Sequence, residues 1–289
     1  MDSYQQRSIV RHIMLVNLKK MSQVIKKGMR MRFCSFFIVV LCGWLGLMPL
    51  SYARTVYPYA ASLCQEEGYS CVRVKRNQSW GSLFSDHYDR SIVMRINRMN
   101  INLWPGMVIA VPNHLSTANI IDFSPFPLSM QSSEKVVVVD PNVQAWAAYD
   151  HGQLLRWGPI SAGSDYCRDI HAPCRTHEGV FRIFSLGNSD CYSKRFPLPD
   201  GGAPMPYCMF FNNGQALHGE ARGLPGYNDS HGCVRMYVDD AEWLRYEFAE
   251  GPTAQNHYRG TKVVVRSYGY DIPVQDDFDQ RPFDEGSEI

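Results

Sequence analysis

The stretch DSHGCVRM, residues 229–236, sets His231 two places before Cys233 with Gly232 between them. A thiol attacks as its thiolate, so a nucleophilic cysteine needs a base or an imidazolium within reach. Two histidines qualify by position. His231 is so close in sequence that a tight glycine turn would splay its side chain away from the thiol. His218 ends the strand-like run GQALHG, and the eleven residues Gly219 to Asp229 that follow it allow its strand to return beside the cysteine loop.

Whether Cys233 stays a free thiol depends on the other cysteines. Lys26, Lys27, Arg30 and Arg32 precede the apolar run FCSFFIVVLCGWLGLMPL, and the small-residue sequence SYA follows it. This pattern predicts a secretory signal with its N-terminal extension over residues 1–53, cleaved after Ala53, and places the mature chain in the periplasm or cell envelope. The rival reading is an uncleaved anchor, because the run approaches spanning length. Cleavage removes two of the nine cysteines, Cys34 and Cys42, and leaves an odd number in a compartment that favours disulfides. Six of these are sequence neighbours, which suggests the pairs Cys64 with Cys71, Cys167 with Cys174 and Cys191 with Cys208. Many connectivities are open to six cysteines, so the pairing rests on proximity alone. Cys233 is the one left over. A buried inert cysteine is the competing reading.

Residues 167–177, CRDIHAPCRTH, also have ligand-like spacings at Cys167, His171, Cys174 and His177. In an exported chain these two cysteines are expected to close a disulfide instead, and neither a metal nor another cofactor is expected. The formal charge of +1 is misleading, since beyond Ala53 there are 21 basic against 27 acidic residues. An acidic mature chain argues against nucleic acid as a partner.

Around these residues the elements are mostly strands. KVVVVD, AWAAYDHGQLLRWG with its His-Gly turn, GVFRIFSLG, CMFFNNGQALHG with Asn213-Gly214, and TKVVVRSY are rich in β-branched and aromatic residues. One long helical pattern, VDDAEWLRYEFAEG, has Asp239 as its expected N-cap, Ala241, Leu244 and Phe248 on one face, and Gly251 at its end. Residues 113–133 read as a linker or a strap across the next domain, and 269–289 as an acidic, disordered tail. Trp80, Trp104 and Trp146 sit in apolar patterns that suit a core.

Two resemblances follow from these motifs. The order strand, helix, helix, Pro-Gly turn, strand over residues 69–112, ending in NINLWPGMVIAVP, resembles a LysM module. It implies a small α/β domain at 54–112 that grips glycan strands, with NQS standing where that family has Gly-Asp-Thr. MPYCMFFNNGQALHG followed by SHGCVRM resembles the signature of the L,D-transpeptidases, the YkuD-like domain, over residues 134–268. RTHEGVF matches that family's Thr-Pro-x-Gly turn, with His177 in place of proline.

The second resemblance implies a mainly β, sandwich-like catalytic domain with one helix. It makes Cys233 the nucleophile and His218 the general base, with Gly219 orienting that histidine through its backbone. Ser230, His231 and Gly232 would shape a loop whose N–H groups form an oxyanion hole. Arg235 would brace the loop or meet a substrate carboxylate, and Met205, Tyr207 and Ser230 would line the substrate site. The implied partners are peptidoglycan stem peptides, with an envelope protein as a possible acceptor. Amine and water meet the same thioester, so transpeptidation and hydrolysis both stay open. A third class is a wall-binding protein without catalysis, against which the joint presence of HG and SHGC speaks.

Overall fold

The computed structural model describes residues 59–269; the predicted signal segment and acidic tail lie almost wholly outside them. Nine strands form one mixed sheet: β3 (Val136–Asp140), β4 (Ala145–Asp150), β5 (Gln153–Ser161), β6 (Gly179–Arg182), β7 (Ser185–Leu186), β8 (Met209–Asn212), β9 (Gln215–Gly219), β10 (Val234–Met236) and β11 (Lys262–Val265). Their spatial order is β6-β11-β3-β4-β5-β10-β9-β8-β7. β6 and β7 are consecutive in sequence, separated by Ile183 and Phe184, yet they occupy opposite ends of this order. The sheet must therefore curl until its edges meet, and the Phe181 and Phe211 rings, 5.5 Å apart, pack across that closure. The strand order bends at β5, which pairs with β4 through Gln153–Pro159 and with β10 through Ile160–Ser161, so two curved halves enclose the core in the sandwich-like manner expected.

Two-residue turns set two hairpins. His151 (φ 47°) with Gly152 (φ 81°) joins β4 to β5, and Asn213 (φ 22°) with Gly214 (φ 82°) joins β8 to β9. These positive φ values match the right-handed twist of the flanking strands. β3 is buried along its whole length because both faces of the sheet are covered there. Val137 and Val139 join Trp146, Leu217, Val234 and Leu244 inside the curl. Val136 and Val138 join Ala147, Tyr149, Trp157 and Phe126 outside it. The covering layer is the 113–133 segment, which runs as a strap. Ile120 accepts the Trp157 indole N–H at 2.9 Å, and Met130 donates to Gly152 at 2.8 Å.

The helix after β10 starts two residues earlier than expected. α4 (Val238–Trp243) has Tyr237 at its N-cap without a side-chain cap bond, and continues as a π-turn over Leu244–Phe248. Asp239 and Asp240 lie in its first turn. Ala241, Leu244 and Phe248 are buried, as their spacing required.

Residues 59–112 contain α1 (Ala60–Leu63), β1 (Tyr69–Arg73), α2 (Trp80–Leu83), α3 (His87–Ile96) and β2 (Val108–Pro112), with β1 antiparallel to β2. Asp86 caps α3 by accepting the Asp89 N–H at 2.9 Å. Trp80 and Trp146 are core residues, but Trp104 is half exposed. This small unit packs on the large sheet through polar contacts. Arg95 on α3 makes a two-pronged ion pair with the fully buried Asp240, at 2.7 and 2.8 Å, and Arg98 donates to Val143 O at 2.9 Å. Among the described residues no helix is long and apolar enough to cross a membrane.

Candidate active site

β9 and β10 run parallel, with Leu217 beside Val234 and His218 beside Arg235. Side chains alternate between faces along a strand, so Cys233, one residue before Val234, shares a face with Arg235 and therefore with His218. The two are diagonal neighbours on adjacent strands. His218 Nδ1 lies 2.8 Å from Gly219 O, so Nδ1 carries the proton and Nε2 is left as the basic nitrogen. Burial pushes the His218 imidazole down to about 4, with Arg235 adding to the effect and the Gly219 carbonyl opposing it. Gly219 is closely packed: a Cβ there would lie 3.0 Å from Val238 Cα and 3.2 Å from Pro206 Cγ.

Cys233 is the one free cysteine among the described residues, and it is half buried. Its thiol donates to Gly214 O at 3.7 Å, in the β8–β9 turn, rather than to His218. Burial raises the thiol pKa, against the pull of the Ala216 backbone and the Arg235 charge. Burial thus favours the neutral form of both the cysteine and the histidine. Met205 packs beside Cys233 in a small apolar cluster with Ala216 and Cys208.

The loop before Cys233 is held from within. Ser230 is buried; its hydroxyl donates to Cys233 O and accepts the Gly232 N–H, the latter at 3.0 Å. Its backbone pairs with Ala162 and Ser164. Ser230 is thus placed as a brace, and the Gly232 N–H is already engaged. Gly232 has φ 112°, and a Cβ there would meet Gln215 Nε2 at 2.8 Å. Arg235 bonds Asp229 at 2.8 Å and lies 3.5 Å from Glu220, so it ties together the two ends of the loop between His218 and Cys233. Tyr207 donates its hydroxyl to Glu242 at 2.9 Å, on α4.

The disulfides are Cys64–Cys71, Cys167–Cys174 and Cys191–Cys208, the neighbours that proximity suggested, and the last two close loops that reach this centre. The second removes both thiolates from the ligand-like CRDIHAPCRTH segment. Cys167, Asp169 and His231 do converge, but a disulfide sulfur is no thiolate ligand for a metal. His231 Nε2 lies 2.8 Å from both Asp169 oxygens, and its ring stacks on Phe196 at 4.2 Å. Sequence reasoning missed Asp169 and Phe196, because nothing in their spacing connects them to residue 231.

Among solved structures, 49 chains match. An L,D-transpeptidase from Xylanimonas cellulosilytica shares 23% identity over 61% of this chain and 78% of that one, with a TM-score of 0.44. One from Stackebrandtia nassauensis shares 22% over 48% and 58%, at 0.37. L,D-transpeptidase 1 of Mycobacterium tuberculosis shares 18% over 46% and 61%, at 0.34. A comparison with curated proteins found no match. Residues 134–265, which hold His218, Cys233 and the whole curled sheet, match the YkuD family model, the L,D-transpeptidase catalytic domain.

Proposed function

We propose that this chain is an exported L,D-transpeptidase acting on peptidoglycan stem peptides, with Cys233 as nucleophile and His218 as general base. The observation that carries the reading is the parallel β9–β10 register, which sets a free thiol and a histidine of fixed tautomer on one face of the sheet. The match of residues 134–265 to the YkuD model supports the choice of chemistry.

In this mechanism the thiol leaves Gly214 O and turns toward His218 Nε2. The neutral imidazole takes the thiol proton as Sγ attacks the carbonyl carbon of the third stem residue. The oxyanion is met by the N–H groups of His231 and Cys233, since Gly232 donates to Ser230. The imidazolium then gives its proton to the departing D-alanine amine, the C–N bond breaks and a thioester remains. An incoming amine, deprotonated by His218, attacks the thioester carbonyl and releases the thiol with its proton restored. A diaminopimelate amine gives a cross-link, a lysine of an envelope protein gives a tethered protein, and water gives a trimmed stem. Met205 and Tyr207 flank the stem, while Ser230 and Arg235 hold the loop. The small unit adds glycan contact, with the half-exposed Trp104 as a stacking surface.

The test is mass spectrometry of the mature protein with a disaccharide tetrapeptide, beside Cys233→Ser. The expected result is loss of D-alanine with a cross-linked product, both absent from the variant. D-alanine release without a dimer would favour hydrolysis or a protein acceptor. Folded protein that forms neither thioester nor product would end the enzymatic reading for this substrate.

A further inference from the structure

Gly232 gives the nucleophile loop its turn, but it also lets the loop's peptide planes rotate, because glycine is the least restrained residue. Ser230 fixes the chain on one side, with both its backbone groups and its hydroxyl engaged. On the other side Cys233 is fixed by entry into β10. Between them, the His231 N–H shares a peptide plane with the Ser230 carbonyl, which accepts the Ser164 N–H at 2.9 Å, and the His231 side chain adds a second handle that is gripped from two directions.

Asp169 takes the ring edge, with Nε2 2.8 Å from both carboxylate oxygens. Phe196 takes the ring face, with an interplanar angle of 29°. Each gripping residue is itself restrained. Asp169 lies in the turn closed by Cys167–Cys174, whose ends also pair through Cys167 N–H to Ala172 O at 2.9 Å. Phe196 lies in the loop closed by Cys191–Cys208, with its N–H on Ser193 Oγ at 2.9 Å. Two of the three disulfides thus hold the groups that hold His231.

We infer that Asp169 is a positioning residue: it accepts the His231 Nε2–H and, together with the Ser164 N–H on the Ser230 carbonyl, holds the Ser230–His231 peptide group with its N–H toward the acyl oxygen. This rests on the acyl-transfer reading of Cys233. It separates two properties of the thiol. Attack on a carbonyl needs the oxyanion donors, whereas displacement at a saturated carbon needs the thiol alone. Losing the Asp169 acceptor should slow only the first.

The experiment compares wild-type protein with Asp169→Ala and Asp169→Asn, following acylation by p-nitrophenyl acetate and alkylation by iodoacetamide, each mapped to the Cys233 peptide by mass spectrometry. Asp169→Ala is expected to acylate on the order of 10²-fold more slowly, the loss that misplacement by about 1 Å can cause. Its alkylation rate should be unchanged. Asp169→Asn keeps an acceptor oxygen for Nε2–H and should recover most of the acylation rate. Asp169→Ala acylating at the wild-type rate, or losing both reactions equally, overturns the inference. Wild-type protein that alkylates but is not acylated overturns the acyl-transfer reading itself. Ring nitrogen NMR of wild-type protein, which needs no folded variant, should show the neutral His231 proton on Nε2; a proton on Nδ1 would also refute the inference.

Discussion

Asp240 has no exposed surface, and it joins the small unit to the large sheet. Its oxygens receive Arg95 at 2.7 and 2.8 Å and Arg156 at 2.7 Å, and it crowds Gly158 so closely that no Cβ fits there. Asp240→Ala leaves Arg95, whose side chain is 14% exposed, with Trp157 O at 3.4 Å as its remaining hydrogen-bond acceptor and the Tyr237 ring 5.3 Å away. Removing one member of a buried pair costs about 3–5 kcal/mol. The residual partners of Arg95 place this case at the lower end, about 3 kcal/mol. At about 2–4 °C per kcal/mol for a domain of this size, the midpoint should fall by roughly 6–12 °C. Arg156 adds little, because it is 30% exposed and reaches water. Calorimetry at neutral pH measures the loss, and the paired replacement Arg95→Met with Asp240→Leu should recover most of it, since apolar substitutes often match a buried ion pair. A loss below about 1 kcal/mol for Asp240→Ala would show that water reaches Arg95 and would refute the reasoning.

Two further outcomes follow from the site. The folded His218 pKa of about 4 lies below the ordinary 6.5, so between these values the unfolded chain binds a proton here that the folded protein does not. Stability should therefore fall as pH drops through that window, by about 3 kcal/mol in all, and denaturant titrations of His218→Gln should lack this slope; an unchanged slope would place the proton elsewhere. Replacing Cys191 and Cys208 with serine frees the loop carrying Phe196 and Met205, and should raise D-alanine release without transfer relative to cross-linking in the tetrapeptide assay. An unchanged ratio would mean that the loop does not exclude water from the thioester.

What could be read from the sequence was the chemistry carried by neighbours along the chain. Strand runs, the positive-φ turns at 151–152 and 213–214, and the disulfide partners are all local, and the structure realises each of them. Gly219 acting through its carbonyl was legible for the same reason. Sheet closure was not, because the strand patterns around Ile183 and Phe184 are the same whether two sheets stack or one sheet curls. The N-cap shifted from Asp239 to Tyr237 because Asp240 is drawn inward by Arg95, a partner 145 residues away. Nothing in the sequence around Arg95 and Arg98 marks the distant partners they meet, Asp240 and the Val143 carbonyl. No periodicity distinguishes an arginine that faces water from one that meets a buried carboxylate.

The connection between His218 and Cys233 shows why the two parts of the chain should be considered together. Its ends are fixed by Arg235, through Glu220 and Asp229. Its middle is fixed by the small unit: Asn100 exchanges two hydrogen bonds with Leu224, at 2.7 and 3.1 Å, and Tyr59 donates to Gly226 O at 3.1 Å. A Cβ at Gly223 would lie 2.9 Å from Asn100 Oδ1, so the approach is as close as a backbone allows. A free surface loop of this length would sample many conformations, and each would let β10 shift against β9. Holding the middle removes that freedom where His218 and Cys233, the proposed base and nucleophile, must keep their spacing. The small unit therefore contributes to the geometry of the reacting pair through Asn100 and Tyr59, whether or not it also meets a glycan.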